Sequence, residues 1–142
     1  MFVQGRQREI TGQGTGHWPA LVMPAQATLP ADLPVGGCYV APTLLAPAAP
    51  EHRLAQEEIF GPVQVMIPFD GPDHGEAEAL RIANSTAYGL VAGVWTRDGG
   101  RQWRMARQLH CGQVFINHYG AGGGIKLPFG GVKHSGHGRE KG

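Results

Sequence analysis

The chain has 142 residues, a formal net charge of +1 and 23 glycines. So small a charge gives no field that would favour nucleic acid or an anionic membrane as the main partner. The sequence has no apolar run near the roughly 20 residues of a membrane-spanning helix. Its N-terminus has no signal-peptide apolar region, so a cytoplasmic location is expected.

The first 50 residues are predicted to form an extended Pro/Gly-rich arm that is partly ordered. They contain seven prolines and only four charged residues, so neither helical nor strand periodicity persists. The one strand predicted here covers residues 38–45. It is broken at Pro42, because proline cannot donate a hydrogen bond to a central ladder.

The remaining residues, 51–142, are predicted to alternate strands with helices. Strands are indicated by short apolar runs, and helices by capping residues and helical spacing. In chain order the predicted elements are a strand at 64–68, a helix from Asp73 to Ala83, a strand at 90–96, a helix at 100–110 and a strand at 113–117. Asp98 is expected to cap the second helix, Gly112 to end it, and Trp103 to lie on its apolar face.

This alternation predicts an α/β fold in which helices cover a parallel sheet. Ligands of open parallel sheets gather at the carboxyl ends of the strands. The loop at residues 118–127 leaves such an end, so it is an expected part of a site.

Two segments rich in glycine and proline stand out, EEIFGPV at 57–63 and LPFGGVKHSGHGRE at 127–140. They hold few apolar residues to bury, so a fold alone gives little reason for these particular residues. Both segments are therefore expected to belong to a site. With NSTAYGL at 84–90 and VFIN at 114–117, they resemble the aldehyde dehydrogenase superfamily. The resemblance runs in unbroken order from about residue 39 to residue 142. It implies the C-terminal portion of that catalytic domain.

The resemblance implies a part in the NAD(P)-dependent oxidation of an aldehyde to a carboxylic acid. In the family, the cysteine nucleophile, the glutamate general base and the nucleotide-binding domain all precede the matched region. The isolated chain is therefore expected to show no dehydrogenase activity, and to bind NAD or NADP weakly or not at all. The choice of cofactor and the identity of the small-molecule aldehyde remain open.

Glu58 and Phe60 are the expected cofactor-binding residues. The resemblance implies that the second glutamate of EEIFGPV holds the nicotinamide ribose, whose vicinal hydroxyls suit a carboxylate. It also implies that Phe60 packs beside the nicotinamide ring. The alternative is that Glu57 and Glu58 are solvated charges near a turn. Neither corresponds to the general base of the family.

Phe129 and Tyr119 are the expected substrate-binding residues. The family places LPFGG along the aldehyde entrance tunnel, where Phe129 would offer apolar surface and Tyr119 a second wall. Ordinary loop packing is the alternative. The glycine-rich residues 120–126 are expected to reshape the tunnel.

No catalytic residue is predicted within the chain. Cys111 follows His110, which suggests a nucleophile with its base. Side chains adjacent in sequence rarely face each other, however, and a buried cysteine is usually a small apolar residue. Cys38 lies outside any nucleophile motif of the family.

Metal and phosphate sites are not expected either. His134 and His137 are three residues apart, but no second close pair completes a zinc-site spacing. Residues 120–126 and 131–137 both fail the glycine-rich phosphate-loop patterns. The basic tail of Lys133, Arg139 and Lys141 is expected to be solvated or paired.

Two alternatives to an enzyme segment stay open. One is a noncatalytic self-association module, since uncovered sheet edges promote pairing between chains, and a homo-oligomer is accordingly expected. The other is a truncated gene product or a cloned fragment without independent function.

Overall fold

The computed structural model describes residues 2–3, 21–26, 28–71, 75–119 and 127–140. Two compact units divide the chain: Met1–Gly12 with Phe69–Gly142, and Gln13–Pro68. The sequence predicts a domain boundary after residue 50, whereas the smaller compact unit ends at Pro68. The boundary after residue 50 stays a prediction.

The described helices and strands are short. In chain order they are β1 (Phe2–Val3), β2 (Leu21–Gln26), β3 (Thr43–Ala48), α1 (Arg53–Gln56), β4 (Val63–Val65), α2 (Gly75–Asn84), β5 (Tyr88–Gly89), β6 (Val91–Val94), α3 (Gly99–Gln108), β7 (Gln113–Ile116) and β8 (Val132–Lys133).

The larger unit contains a parallel sheet in the order β1, β6, β7. The register between β6 and β7 runs from Val91 opposite Gln113 to Val94 opposite Ile116. A two-stranded antiparallel ladder of β5 and β8 belongs to the same unit. The parallel sheet predicted from the apolar runs is therefore confirmed.

Helices α2 and α3 cover this sheet over a small apolar core. Its buried members come from both helices and from β6: Ala79, Leu80, Val94 and Met105. Partly buried side chains complete it: Phe69, Leu109, Val114 and Ile116. The predicted α/β fold, with helices on a parallel sheet, thus describes the larger unit.

The smaller unit has a sheet of its own, in which β3 lies between antiparallel β2 and parallel β4. Strand β4 was expected to join β6 and β7. That prediction was wrong, because Val63–Val65 pairs with Thr43–Ala48 instead. The expected strand at 38–45 also differs, since pairing begins only at Thr43, after Pro42. Leu45 and Ala48 are buried in this unit.

Helix α3 begins as predicted at Asp98. The Asp98 carboxylate accepts a hydrogen bond from the Arg101 backbone N–H at 2.9 Å, which satisfies one of the free donors of the first turn. The predicted apolar face is wrong in one respect. Trp103 is 74% exposed, whereas Met105 is buried. Asp73, the expected cap of α2, lies outside the described residues.

The end of α3 is set by Asn84 rather than by glycine. Its Nδ2 donates to the Gln108 carbonyl at 2.9 Å, and its Oδ1 accepts from the His110 N–H at 2.8 Å. The backbone is already extended at Leu109. The prediction that Gly112 ends this helix is therefore wrong.

Glu76 joins α2 to α3 through two arginines. Its Oε1 lies 2.7 Å from Arg104 Nε, and its Oε2 lies 3.3 Å from Arg101 Nε. The Arg104 hydrogen bond lowers the pKa of the Glu76 carboxyl; desolvation opposes it and Arg101 adds to it. This carboxylate is only 17% exposed.

Glu76→Gln is expected to reduce the free energy of unfolding near pH 7 by about 1 kcal/mol, a value limited by solvent screening of the exposed arginines. The pKa of Glu76 is lower in the folded state than its unfolded value of 4.5. The contribution of Glu76 to the free energy of unfolding is therefore fully present above pH 4.5, and it is lost as the pH falls through the pKa of the folded state. In urea unfolding, the difference between the wild type and the variant should therefore be smaller at pH 3 than at pH 7. Glu78→Gln is the control, since its pair with Arg81 lies within one helix and should contribute less. A difference that is equal at both pH values would contradict the ion-pair interpretation.

Candidate functional site

Residues 57–61 and Val63 line an open cavity of about 530 Å³ on the smaller unit. The helical turn α1 leads into this segment, and the His52 imidazole caps the turn by accepting from the Leu54 N–H at 3.2 Å. The chain then runs through the cavity wall into β4. Glu58 and Phe60 both line this cavity, together with the apolar side chains of Leu54 and Val65. The structure thus brings the two expected cofactor-binding residues together.

The two adjacent carboxylates of this segment differ in their partners. Glu57 accepts a hydrogen bond from Arg53 Nε at 2.7 Å, one turn earlier in the chain. Glu58 is exposed and makes no hydrogen bond or ion pair with any residue in the described part of the chain. Glu58 is therefore the carboxylate that can accept hydrogen bonds from a ligand without first losing a protein partner.

Phe60 has a backbone conformation that is rare for an aromatic residue. Its φ is 27°, and its side chain is 94% exposed. A positive φ at a bulky residue costs about 1–3 kcal/mol, and such strain is concentrated at functional sites. Because the ring is exposed within the described part of the chain, burial of the ring there does not offset this cost. The strain is consistent with a ring that is positioned for a ligand.

Residues 127–140 form a closely packed hairpin closed by the antiparallel bridge between Phe129 and Glu140, and this packing gives two of its glycines and the neighbouring Gly112 a structural role. A Cβ at Gly112 would overlap the carbonyl oxygen of Gly130, and a Cβ at Gly130 would overlap that of Gly138. A Cβ at Gly131 would meet the backbone of Ser135. The expectation that the fold explains little of this segment was therefore wrong, because side chains at these positions would collide with backbone atoms.

Lys133 fastens this hairpin to the NSTAYGL segment. Its Nζ donates to the carbonyls of Asn84 at 2.9 Å and Thr86 at 3.0 Å. The Ser135 hydroxyl accepts from the Gly89 N–H at 3.0 Å. The sequence analysis placed Lys133 only in a basic tail and missed this role. The one available hint was that the two segments belong to the same family pattern.

The rest of the basic tail divides in two. Arg139 Nη1 donates to the carbonyls of Gly131 at 2.7 Å and Gly138 at 2.9 Å, so it is paired as expected. Lys141 lies outside the described residues.

Phe129 and Tyr119 lie on different loops of the larger unit. Phe129 exchanges two backbone hydrogen bonds with Glu140, at 3.0 and 2.7 Å, and its side chain is 39% exposed. Tyr119 is 62% exposed and stacks on His118. Residues 120–126, which were expected to reshape a tunnel, lie outside the described residues. The tunnel-wall role of both aromatics remains a prediction.

The environment of Cys111 does not favour a nucleophile. Burial raises the pKa of the Cys111 thiol, and its Sγ donates to the Gln113 carbonyl at 3.2 Å. A raised pKa leaves less thiolate at neutral pH, and the thiolate is the reactive form. Cys38 is exposed.

Iodoacetamide is accordingly expected to alkylate Cys38 before Cys111 at pH 7.5. Peptide mass spectrometry over a time course measures the two rates separately. Cys38→Ser is the control, because Cys111 is then the thiol left to react. Equal alkylation rates of the two cysteines in the wild type would contradict the assignment of Cys111 as an unreactive thiol.

Within the described ranges, no three His, Cys, Asp or Glu side chains lie close enough together to hold a metal ion. None of the helices in that part of the chain is long and apolar enough to cross a membrane.

Comparisons with known proteins identify the family. Residues 23–142 match the model of the aldehyde dehydrogenase family. The NADP/NAD-dependent aldehyde dehydrogenase PuuC of Escherichia coli (strain K12) is 47% identical over 102 residues, which are 72% of this chain and 20% of that protein. A betaine aldehyde dehydrogenase of Cereibacter sphaeroides is 46% identical over 106 residues, covering 75% of this chain and 21% of the relative.

Solved structures agree with these relatives. A Burkholderia cenocepacia protein assigned as an aldehyde dehydrogenase matches with a TM-score of 0.76 and 62% identity, covering 83% of this chain and 24% of that one. A Mycobacterium tuberculosis aldehyde dehydrogenase complexed with NAD+ matches with a TM-score of 0.71 and 39% identity, over 84% of this chain and 23% of that one. The chain spans about a fifth to a quarter of the length of the proteins it matches. It belongs to the aldehyde dehydrogenase family.

Proposed function

We propose that this chain supplies the nicotinamide-ribose site and part of the substrate channel of an enzyme that oxidises an aldehyde to a carboxylic acid with NAD or NADP. One observation carries the proposal. The unpaired Glu58 carboxylate and the exposed Phe60 ring line the same cavity. Support comes also from the family, in which one matched structure is complexed with NAD+.

The residues of the cavity fit a nicotinamide riboside. A ribose presents two vicinal hydroxyl donors, and an ionised carboxylate offers two acceptor oxygens. The cavity volume of about 530 Å³ lies in the usual range for small-molecule sites. When bound, the nicotinamide cofactor accepts a hydride from the substrate. Glu58 would bind and orient the ribose, and Phe60 would cover one side of the ring and exclude water.

The substrate channel is the second part of the proposal. Phe129 and Tyr119 are aromatic side chains that remain partly or largely exposed in the described chain. Apolar walls of this kind bind the side chain of an aldehyde while leaving its carbonyl free for reaction. Both residues would bind substrate and take no part in proton transfer.

The isolated chain is proposed to be inactive and to bind the cofactor weakly. An assay with NAD, NADP and a panel of aldehydes should show no turnover. Turnover that is abolished by Cys38→Ser or Cys111→Ser would contradict this. Both cysteines are free thiols, which agrees with the cytoplasmic location that we propose.

Glu58→Gln tests the ribose assignment. Residues 39–142 would replace the matched segment of the Escherichia coli relative, which is 47% identical. In this hybrid enzyme, E58Q is expected to raise KM for NAD+ about 10-fold or more, since a hydrogen bond to a charged group is lost. Circular dichroism would establish that the hybrid and its variants are folded.

Glu57→Gln is the matched control, because it removes the same charge one residue away from a carboxylate already paired with Arg53. Its KM should stay within about two-fold of the parent, as expected for an exposed ion pair. Equal effects of E57Q and E58Q would overturn the assignment of Glu58.

Self-association is a second candidate function, favoured by the exposed apolar side chains. Among the described residues from 28 to 140, 13 large hydrophobic residues are exposed and only seven hydrophobic residues are buried. Met66 and Trp103 are 53% and 74% exposed. Where such residues form a contiguous patch, the surface is typical of an association site. Light scattering over a concentration series should detect a homo-oligomer, and a compact monomer at every concentration would argue against this candidate.

A further inference from the structure

Three aromatic rings form a ladder at the end of β7. The centroids of Phe115 and His118 lie 5.8 Å apart with their planes inclined by 32°. His118 and Tyr119 are stacked, with centroids 5.1 Å apart and planes only 9° from parallel. Tyr119 is 62% exposed, so the ladder ends on an aromatic face that is open within the described part of the chain.

Asn117 fixes this ladder to the neighbouring strand. Its φ of 53° is left-handed, a conformation that asparagine tolerates better than most residues. Its side-chain amide exchanges two hydrogen bonds with the backbone of Thr96. Oδ1 accepts from the Thr96 N–H at 3.0 Å, and Nδ2 donates to the Thr96 carbonyl at 3.1 Å. The backbone that leads into His118 and Tyr119 is thus anchored before any ligand binds, which lowers the entropy lost on binding.

The ladder lies where parallel sheets bind ligands. Strands β6 and β7 are parallel neighbours, and Thr96 and Asn117 follow their carboxyl ends. Trp95, the first residue after β6, is 43% exposed and adds a fourth type of aromatic side chain at this edge. Ligands of open parallel sheets bind beyond these ends.

The chemistry of the ladder favours a neutral planar ring. Stacked rings attract a further ring through offset stacking. A quaternary ammonium group would favour a cage of several rings, usually with a carboxylate nearby, and residues 115–119 contain no carboxylate. A linear aliphatic chain gains little from a single flat face.

We propose that the His118–Tyr119 stack binds the planar ring of an aromatic aldehyde and so sets the substrate class of the family reaction. His118 is then a specificity-determining residue alongside Tyr119. This inference rests on the proposed function, since the ring belongs to the aldehyde that would be oxidised.

The test compares two unreactive probes of similar size on the full chain, planar benzyl alcohol and non-planar cyclohexylmethanol. Titrations followed by NMR should shift signals of residues 115–119 and give a Kd for benzyl alcohol about 2- to 12-fold lower than for cyclohexylmethanol, the range expected of one stacking interaction. Tyr119→Leu and His118→Leu should each remove that preference.

Tyr88→Leu is the matched control. Tyr88 is also exposed, at 40%, but it contacts His134 edge-on instead of ending a stack. This variant should keep the preference for the planar probe. Equal affinity for both probes, or a preference that survives in Tyr119→Leu and His118→Leu, would overturn the proposal. Failure of the proposed function has a separate readout, the KM for NAD+ of Glu58→Gln, because Glu58 lies in the other unit.

Discussion

Gly112→Ala is expected to lower the free energy of unfolding of this chain by about 3 kcal/mol or more, the upper range for overpacking. The added Cβ would overlap the carbonyl oxygen of Gly130 and lie 3.1 Å from the Cα of Gly131. Both are backbone atoms, so no side-chain rotation can relieve the collision. Urea unfolding followed by circular dichroism measures the loss.

Gly138→Ala is the control, because Gly138 lies in the hairpin against which Gly112 packs. A Cβ at Gly138 meets no heavy atom within 4 Å, and its backbone is not in the left-handed region. Its unfolding free energy should change by less than about 0.5 kcal/mol. If both alanine variants lost the same stability, the loss would reflect glycine flexibility and not the contact of Gly112 with Gly130.

Lys133→Met is expected to cost about 2–3 kcal/mol of unfolding free energy, because two hydrogen bonds from a charged donor are lost. The carbonyls of Asn84 and Thr86 would lose this donor in a partly buried site. Methionine nearly preserves the length of the side chain, so the change isolates the ammonium group. Thermal unfolding at low and high salt would follow the loss.

Arg107→Met provides the comparison for loss of a cation alone. Arg107 is exposed on α3. Its variant should stay within about 0.5 kcal/mol of the parent. A similar loss of unfolding free energy in both variants would indicate a general effect of net charge. The stabilising role of the hydrogen bonds from Lys133 would then be wrong.

Local patterns predicted the local structure well. The Asp98 cap acts on an N–H three residues further along the chain, so the sequence alone contains both partners. Likewise, the runs at β6 and β7 are apolar enough to indicate buried parallel strands. The partner of β4 could not be predicted in this way. Thr43 and Val63 are 20 residues apart, and an apolar run does not specify which strand it will pair with.

Helix α3 shows why spacing alone misplaced a side chain. The row of Trp103, Ala106 and Leu109 has helical spacing, but the structure turns Met105 toward the core. Trp103 is exposed because the neighbouring row, Met105 and Leu109 at i and i+4, faces α2 and the sheet. Both rows have helical periodicity, and only the packed sheet decides between them.

The candidate site was predicted from family resemblance. Contacts within one short segment could be expected from the sequence, whereas contacts between distant segments could not. Glu58 and Phe60 are two residues apart, so their shared cavity follows from one short segment. Lys133 and its acceptors are 47 and 49 residues apart. Their contact depends on how β5 and β8 pair, which no local pattern contains.

Asn84 forms hydrogen bonds that reach three parts of the larger unit. Its side chain holds the end of α3, its own position ends α2, and its carbonyl accepts from Lys133 of the hairpin. Opening any one of these parts therefore weakens the other two. Amide hydrogen exchange should reveal them as one cooperative unit, with His110 and His134 losing protection together even though 24 residues separate them.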